Sequence, residues 1–128
     1  EKRWNNFVYL YENIPLMKQL DSVDKLIMPS WGRESRPCWF ALPITYTGNT
    51  AKLLRHLEKQ GVETRPLFSG NITRHPAYDK NSYRISGELK GANYITKHSF
   101  WISCHPSLTK SDLEYIVKVF NNFFNGKN

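Results

Sequence analysis

The sequence predicts an α+β domain in which a small, mostly antiparallel sheet carries helices on one face. Three observations support this. The apolar runs Cys38–Tyr46 and Ser99–Cys104 have the length and aromatic content of strands. Apolar residues recur at helical spacing near both termini and again after Gly48-Asn49. The 128 residues suffice for one packed core, so residues 1–128 read as a single domain.

Trp4, Phe7, Val8 and Tyr11 form the i, i+3, i+4, i+7 stripe of an amphipathic helix over residues 1–13, which Pro15 ends. A short helical turn is expected over residues 16–22, and Leu26-Ile27-Met28 is a brief strand. A polar loop, residues 29–37, leads to the Cys38–Tyr46 strand. Pro43 lacks a ladder donor and so places that strand at an edge or a bulge. Asn49 or Thr50 caps the next helix, with Ala51, Leu54 and Leu57 on one face, and Gly61 stands at a left-handed C-cap. Val62–Phe68 is extended, residues 69–98 are mostly loop with a short helix near 91–97, and Ser99–Cys104 is the second clear strand. Thr109 and Asp112 form a capping pair for a last helix built on Leu113, Ile116, Val117, Phe120 and Phe124.

The formal charge is +7, from 18 Lys and Arg against 11 Asp and Glu. Residues 50–100 hold nine of those cations against four carboxylates. An excess of this kind suits an anionic partner, whether nucleotide, phosphate or nucleic acid, and equally a solvated basic surface. Cys38 and Cys104 have no ligand-like spacing, so no disulfide framework or zinc site is read, and both are expected as small core residues. No apolar run reaches the about 20 residues of a membrane span, no signal-peptide pattern opens the chain, and a cytoplasmic location is expected. The chain begins at Glu1 inside a helical pattern, which reads as a piece of something longer.

No metal-site pairing links His56, His75, His98 and His105. His56 is expected at the surface, and His98 and His105 flank a strand where a bond to a loop carbonyl is the usual role. His75 lies in the most distinctive stretch, Gly61–Tyr78, which combines two arginines, a histidine, an asparagine, two glycines and two prolines. Such a stretch is a poor helix and a plausible anion-holding loop. Arg65 offers a planar fork for phosphate or carboxylate. Asn71 and the Gly70 backbone reach a phosphate or sugar oxygen, and Arg74 with Arg84 can neutralise a diphosphate. The competing reading pairs Arg65 and Arg84 with Glu63 and Glu88, which ties the loop down. No nucleophile elbow, P-loop or GxGxxG occurs, and no complete catalytic set is present.

The run Gly61–Tyr78, then Tyr83-Arg84-Ile85-Ser86-Gly87-Glu88-Leu89, then Phe100-Trp101-Ile102 and Pro106-Ser107-Leu108-Thr109 resembles, in this order, the C-terminal part of the DegT/DnrJ/EryC1/StrS sugar aminotransferase family. The likeness is greatest to its 3-dehydrase branch, the CDP-4-keto-6-deoxy-D-glucose 3-dehydrases of lipopolysaccharide biosynthesis. It extends to the opening helix and to Cys38–Ile44. The resemblance implies the small domain of a fold-type I pyridoxal-phosphate enzyme that acts as a homodimer on a nucleotide sugar. Pyridoxal or pyridoxamine phosphate would bind a large N-terminal domain, on whose lysine (aminotransferases) or histidine (dehydrases) the chemistry depends. An iron–sulfur cluster in the CDP-sugar branch would also lie upstream, and Cys38 and Cys104 do not match its ligands. By motif, Arg65, Phe68, Gly70, Asn71, Arg74, Arg84 and Glu88 are the substrate-side residues, with no catalytic, cofactor or metal residue in this chain. Ser103, Ser107 and Cys104-His105 depart from the family pattern, which bears on the substrate rather than the fold.

The dehydrase reading leads, with an aminotransferase of the same family as its alternative. A basic nucleic-acid module is the rival from another class. It would require aromatics and cations together on an exposed sheet face, whereas Trp39, Phe40, Phe100 and Trp101 sit in apolar runs expected to be core.

Overall fold

A computed structural model describes residues 1–14, 24–68, 70–78 and 83–126. The helical turn expected over residues 16–22 lies outside them. The elements run α1 (Lys2–Asn13), β1 (Leu26–Ile27), β2 (Ala41–Tyr46), α2 (Thr50–Lys59), β3 (Thr64–Pro66), a 3-10 turn (Ile72–Arg74), α3 (Lys90–His98), β4 (Ser99–Ser103) and α4 (Lys110–Asn125).

The four strands lie in the order β1-β2-β4-β3, every neighbouring pair antiparallel. The strand period of two separates the faces of the central pair. Leu42, Ile44 and Tyr46 of β2 and Phe100 and Ile102 of β4 are buried in one core with residues of α1, α2 and α4. Pro43 stands opposite Trp101 on the other face. Although β2 is internal by order, its pairing with β1 is confined to Thr45 and Tyr46, so at Pro43 the described strands border it on one side only. A proline without an amide donor is tolerated there as at an edge.

Each long helix presents its core face about one residue away from the stripe its sequence suggests. Phe7 and Leu10 are the buried apolar residues of α1, with Trp4, Val8 and Tyr11 at the margin. In α2 they are Leu53 and Leu57, while Leu54 is half-buried and Ala51 exposed. In α4 they are Leu113, Ile116, Val119, Phe120 and Phe123, with Val117 and Phe124 flanking. Two overlapping apolar stripes fit each pattern at helical spacing, and contact with the sheet selects between them.

The termini match the residue chemistry. Ile14, preceding Pro15, is extended at φ −65°, ψ 134°. Asn49 caps α2 by accepting from the Lys52 amide. Gly61 adopts φ +76° beyond α2. There the Gly61 amide bonds Glu58 O and the Val62 amide bonds Leu57 O, the paired bonds of a Schellman turn. The short helix expected near 91–97 is α3. Thr109 and Asp112 form a full capping box at α4.

Two expected placements change. His56 is half-buried: its Nε2 lies 3.0 Å from Val119 O and its ring packs on Phe123, which ties α2 to α4. Cys104 is buried as expected, but Cys38 is exposed, because the chain bends at Phe40 and only enters the sheet at Ala41. Trp39 joins Phe7 and Trp31 in an aromatic cluster over α1, with Phe7–Trp39 and Tyr11–Trp31 centroids 5.2 and 5.1 Å apart.

Bonds from the Thr109 amide and then its hydroxyl lower the Asp112 pKa from the usual carboxylate range. A depressed folded-state pKa contributes stability that is full above the unfolded value and is lost as pH falls through the folded one. The melting temperature of the wild type should therefore exceed that of Asp112→Ala near neutrality. The gap should shrink as pH is lowered to about 2, below the ordinary Asp range. Thermal melts of both proteins across this range check the expectation, and a constant gap would contradict it.

Candidate functional site

The sheet face turned away from the helical core carries the distinctive loop. Across β2 and β4, Thr45 and Ser99 share a hydroxyl hydrogen bond of 2.7 Å. Further along, Pro43, Trp101 and the exposed Ser103 occupy this side. Phe40 and Phe68 stand edge-to-face on Trp101, with centroids 4.7 and 4.6 Å away. The expectation that Phe40 and Trp101 are core is thus corrected, while Phe100 is core. Phe40 is 54% and Phe68 73% exposed. Strand alternation already assigns Trp101 to the face opposite Phe100 and Ile102, a signal that an apolar-run reading overlooks.

The three rings, with Cys38, Pro43 and Leu67, line a hollow of about 320 Å³. It adjoins a smaller one of about 160 Å³ where Arg65, Glu63 and Ser103 join Phe40 and Trp101. One side of this open surface is apolar and aromatic, and the other offers a cation, a carboxylate and the Ser103 hydroxyl. Arg65 lies in β3 and bonds Glu63 through Nε (2.9 Å) and Nη2 (2.6 Å), as the structural reading expected. Both side chains are exposed. Such a pair contributes between zero and about 1 kcal/mol, so an incoming anion can compete for the guanidinium at little cost.

Beyond β3 the chain makes a tight turn closed by the Gly70 amide on Leu67 O, 3.1 Å. Phe68 takes φ +48° there, the left-handed region that costs a side-chain-bearing residue roughly 1–2 kcal/mol. Gly70 follows at φ +57°, and a Cβ on it would lie 2.7 Å from Thr96 Cα in α3. Its glycine identity serves conformation and close packing together.

Asn71 is not presented to solvent. It is 4% exposed, its Oδ1 accepts from the Thr73 amide and hydroxyl, and its Nδ2 donates to Asn93. Its amide is engaged within the chain, so what it offers a ligand is the shape of the loop. Arg74, at the end of the 3-10 turn, is exposed. Arg84 lines a hollow of about 280 Å³ with Ile72, Thr73, Tyr78 and Tyr83. Glu88 pairs with Lys90 rather than with Arg84. His75 is exposed and touches Tyr78. His98 Nδ1 lies 3.1 Å from Tyr46 O, a strand-end carbonyl, whereas His105 bonds Ser107. Among the described residues no group of three His, Cys, Asp or Glu could hold a metal, and no helix is long and apolar enough to cross a membrane.

Residues 10–121 match the profile of the DegT/DnrJ/EryC1/StrS aminotransferase family. The chain is 34% identical over 128 residues to the lipopolysaccharide biosynthesis protein RfbH of Salmonella typhimurium, covering 97% of this chain and 28% of that protein. It is 34% identical over 112 residues to the dTDP-4-dehydro-2,6-dideoxy-D-glucose 3-dehydratase of Saccharopolyspora spinosa, covering 84% of this chain and 24% of that one. The chain thus spans about a quarter of the length of these relatives. In fold it is similar to the E. coli GDP-4-keto-6-deoxy-D-mannose-3-dehydratase with bound hydrated PLP, at TM-score 0.74 and 20% identity over 92% of this chain and 30% of that one. It is also similar to the aminotransferase TlmJ of Streptoalloteichus hindustanus, at TM-score 0.74 and 16% identity over 99% and 32%.

Two measurements test the local geometry. Burial pushes the Cys104 thiol up to about 11, the nearby Arg3 charge only partly opposing it. Near pH 8, a thiol reagent should therefore titrate one fast cysteine, lost in Cys38→Ser, and a second only on unfolding. Gly61 and Gly70 share a left-handed backbone, yet a Cβ on Gly61 meets nothing within 4 Å. Gly61→Ala should cost about 1 kcal/mol, from conformation alone. Gly70→Ala, which also drives a methyl into α3, should cost on the order of 3 kcal/mol. Urea titration of both variants decides, and equal losses would contradict the close packing.

Proposed function

The chain belongs to the DegT/DnrJ/EryC1/StrS aminotransferase family, and we propose that it is the C-terminal small domain of a pyridoxal- or pyridoxamine-phosphate-dependent nucleotide-sugar 3-dehydratase. The reaction proposed for the full-length enzyme is removal of the 3-hydroxyl of a CDP-4-keto-6-deoxyhexose during dideoxysugar and O-antigen biosynthesis, carried out by a homodimer. The observation that carries this reading is the identity to RfbH along 97% of the chain, supported by the similarity to a 3-dehydratase. Membership of an aminotransferase family keeps a nucleotide-sugar aminotransferase as the second reading.

The described residues do not fit the cofactor itself. A pyridoxal-phosphate site needs a reactive group aimed at the ring and a carboxylate partner for the pyridine nitrogen. Every described lysine is exposed; of the histidines, His56 and His98 face the carbonyls of Val119 and Tyr46, and His75 and His105 are exposed. Of the described aspartates, Asp24 accepts from Tyr46 Oη and Asp112 is engaged in the α4 capping box. The hollow beneath Phe68 carries no charged side chain. The proposed cofactor site thus lies outside the described residues.

This chain contributes a substrate-facing surface. Arg65 meets an anionic or hydrogen-bonding part of the nucleotide sugar, and Phe68 shields its apolar part on the Phe40–Trp101 hollow. Gly70 and Asn71 act through the loop they shape. Arg74 and Arg84 supply exposed positive charge for the diphosphate, and Glu88 stands at the margin of this set.

Pyridoxamine phosphate is supplied as the two-electron donor and leaves as pyridoxal phosphate and ammonia. The full-length protein should then convert CDP-4-keto-6-deoxy-D-glucose to a 4-keto product lacking the oxygen at C3, followed by mass spectrometry. Replacement of the keto oxygen by an amino group would establish the aminotransferase instead. Arg65→Ala should raise KM about ten- to a hundredfold, the worth of a charged hydrogen bond, with circular dichroism unchanged. An unaltered KM would remove Arg65 from the site. The 128-residue chain alone should retain no cofactor absorbance after gel filtration.

A further inference from the structure

We propose that Thr96 and Asn93 of α3 are positioning residues that hold the Phe68 turn over the aromatic hollow and so set substrate affinity. The proposal rests on the reading that this loop faces substrate. α3 is a nine-residue helix with no buried residue, and its Tyr94 and Ile95 are exposed. Packing into the core is therefore not its main contribution. Its defined polar contacts with the Gly61–Tyr78 stretch run to Asn71. The Asn71 amide donates to Thr96 Oγ1 at 2.7 Å, and Asn71 Nδ2 donates to Asn93 Oδ1 at 2.8 Å. Thr96 gives its own hydroxyl proton to Ala92 O at 2.7 Å, which turns a lone pair toward Asn71. Residues 93 and 96 lie three apart, on one side of the helix.

From this anchor the restraint passes in both directions along the chain. Asn71 Oδ1 caps the 3-10 turn through Thr73, and Tyr83 Oη closes on Thr73 O at 3.1 Å. On the other side Gly70 sits against Thr96, and its amide closes the turn that contains Phe68. Phe68 is 73% exposed and left-handed, so its own burial offsets little of the conformational cost. The turn keeps its shape because its far end is fixed to α3.

The test uses the full-length enzyme, with CDP-4-keto-6-deoxy-D-glucose as substrate, excess pyridoxamine phosphate as the two-electron donor, and hydrogen exchange of the 70–74 segment as a second readout. Thr96→Val keeps the shape but deletes both hydroxyl bonds, whereas Thr96→Ser keeps them. Thr96→Val should speed exchange at Asn71 about tenfold and raise KM about tenfold with kcat within about twofold, the loss expected for one hydrogen bond. Thr96→Ser should restore both values. Unchanged exchange in Thr96→Val overturns the anchor. Faster exchange with an unchanged KM overturns the positioning role. Arg65→Ala, measured in parallel, separates the two claims. If its KM is also unchanged, the substrate-facing reading has failed too, whereas a raised KM there leaves that reading standing and rejects the role of Thr96 alone.

Discussion

The antiparallel pairing of β2 with β4 is the constraint on which the rest depends. Five register pairs, from Ala41↔Ser103 to Thr45↔Ser99, join two strands distant in sequence. The same ladder fixes which side chains face which way. Slipping β4 by one residue against β2 would send Phe100 and Ile102 to the outer face and Trp101 into the core. α1, α2 and α4 cover the side on which Leu42, Ile44, Phe100 and Ile102 converge, and the opposite side carries the loop that follows β3, which α3 holds. Core and candidate site are thus the two faces of one register.

The loop is built on a different principle. It buries little apolar surface, and its order comes from a small polar network around Asn71 together with two left-handed residues. A buried amide with satisfied partners specifies one conformation strongly, because any other leaves polar groups desolvated and unpaired. The result is a fixed anchor next to an exposed phenylalanine: the side chain is open, and the backbone that aims it is held.

Much of the fold was legible because local chemistry and global structure agree. The Gly61 C-cap, the Thr109–Asp112 capping box, the α3 helix and the two main strands follow from residue types at fixed offsets. The helix faces were less legible: Leu53 and Leu54, or Phe123 and Phe124, are equivalent by hydropathy until the sheet chooses between them. The motif order identified the family without contacts. The inward turn of Asn71 and the bridging role of His56 were not legible, since each depends on a partner far away in sequence, Asn93 and Val119. Cys38 and Phe40 show the limit of composition: an apolar run continues through them, but the strand does not begin until Ala41.

The distribution of charge bears on which anionic partner suits this chain. A nucleic-acid module stacks bases on exposed aromatics with cations alongside to follow the backbone. Here the exposed Phe40 and Phe68 and the half-buried Trp101 share their face with Arg65, whose charge is matched by Glu63. Lys52, Arg55 and Lys59 are exposed on α2, whose Leu53 and Leu57 pack into the core on the opposite side of the sheet. A strand lying across the rings would thus run away from that basic stripe. A compact ligand needs no such stripe: the nucleotide sugar proposed above calls only for Arg65 beside the apolar hollow and for the exposed Arg74 and Arg84 further along the chain. The net charge of the chain suggested an anionic partner, and the placement of those charges favours a small one.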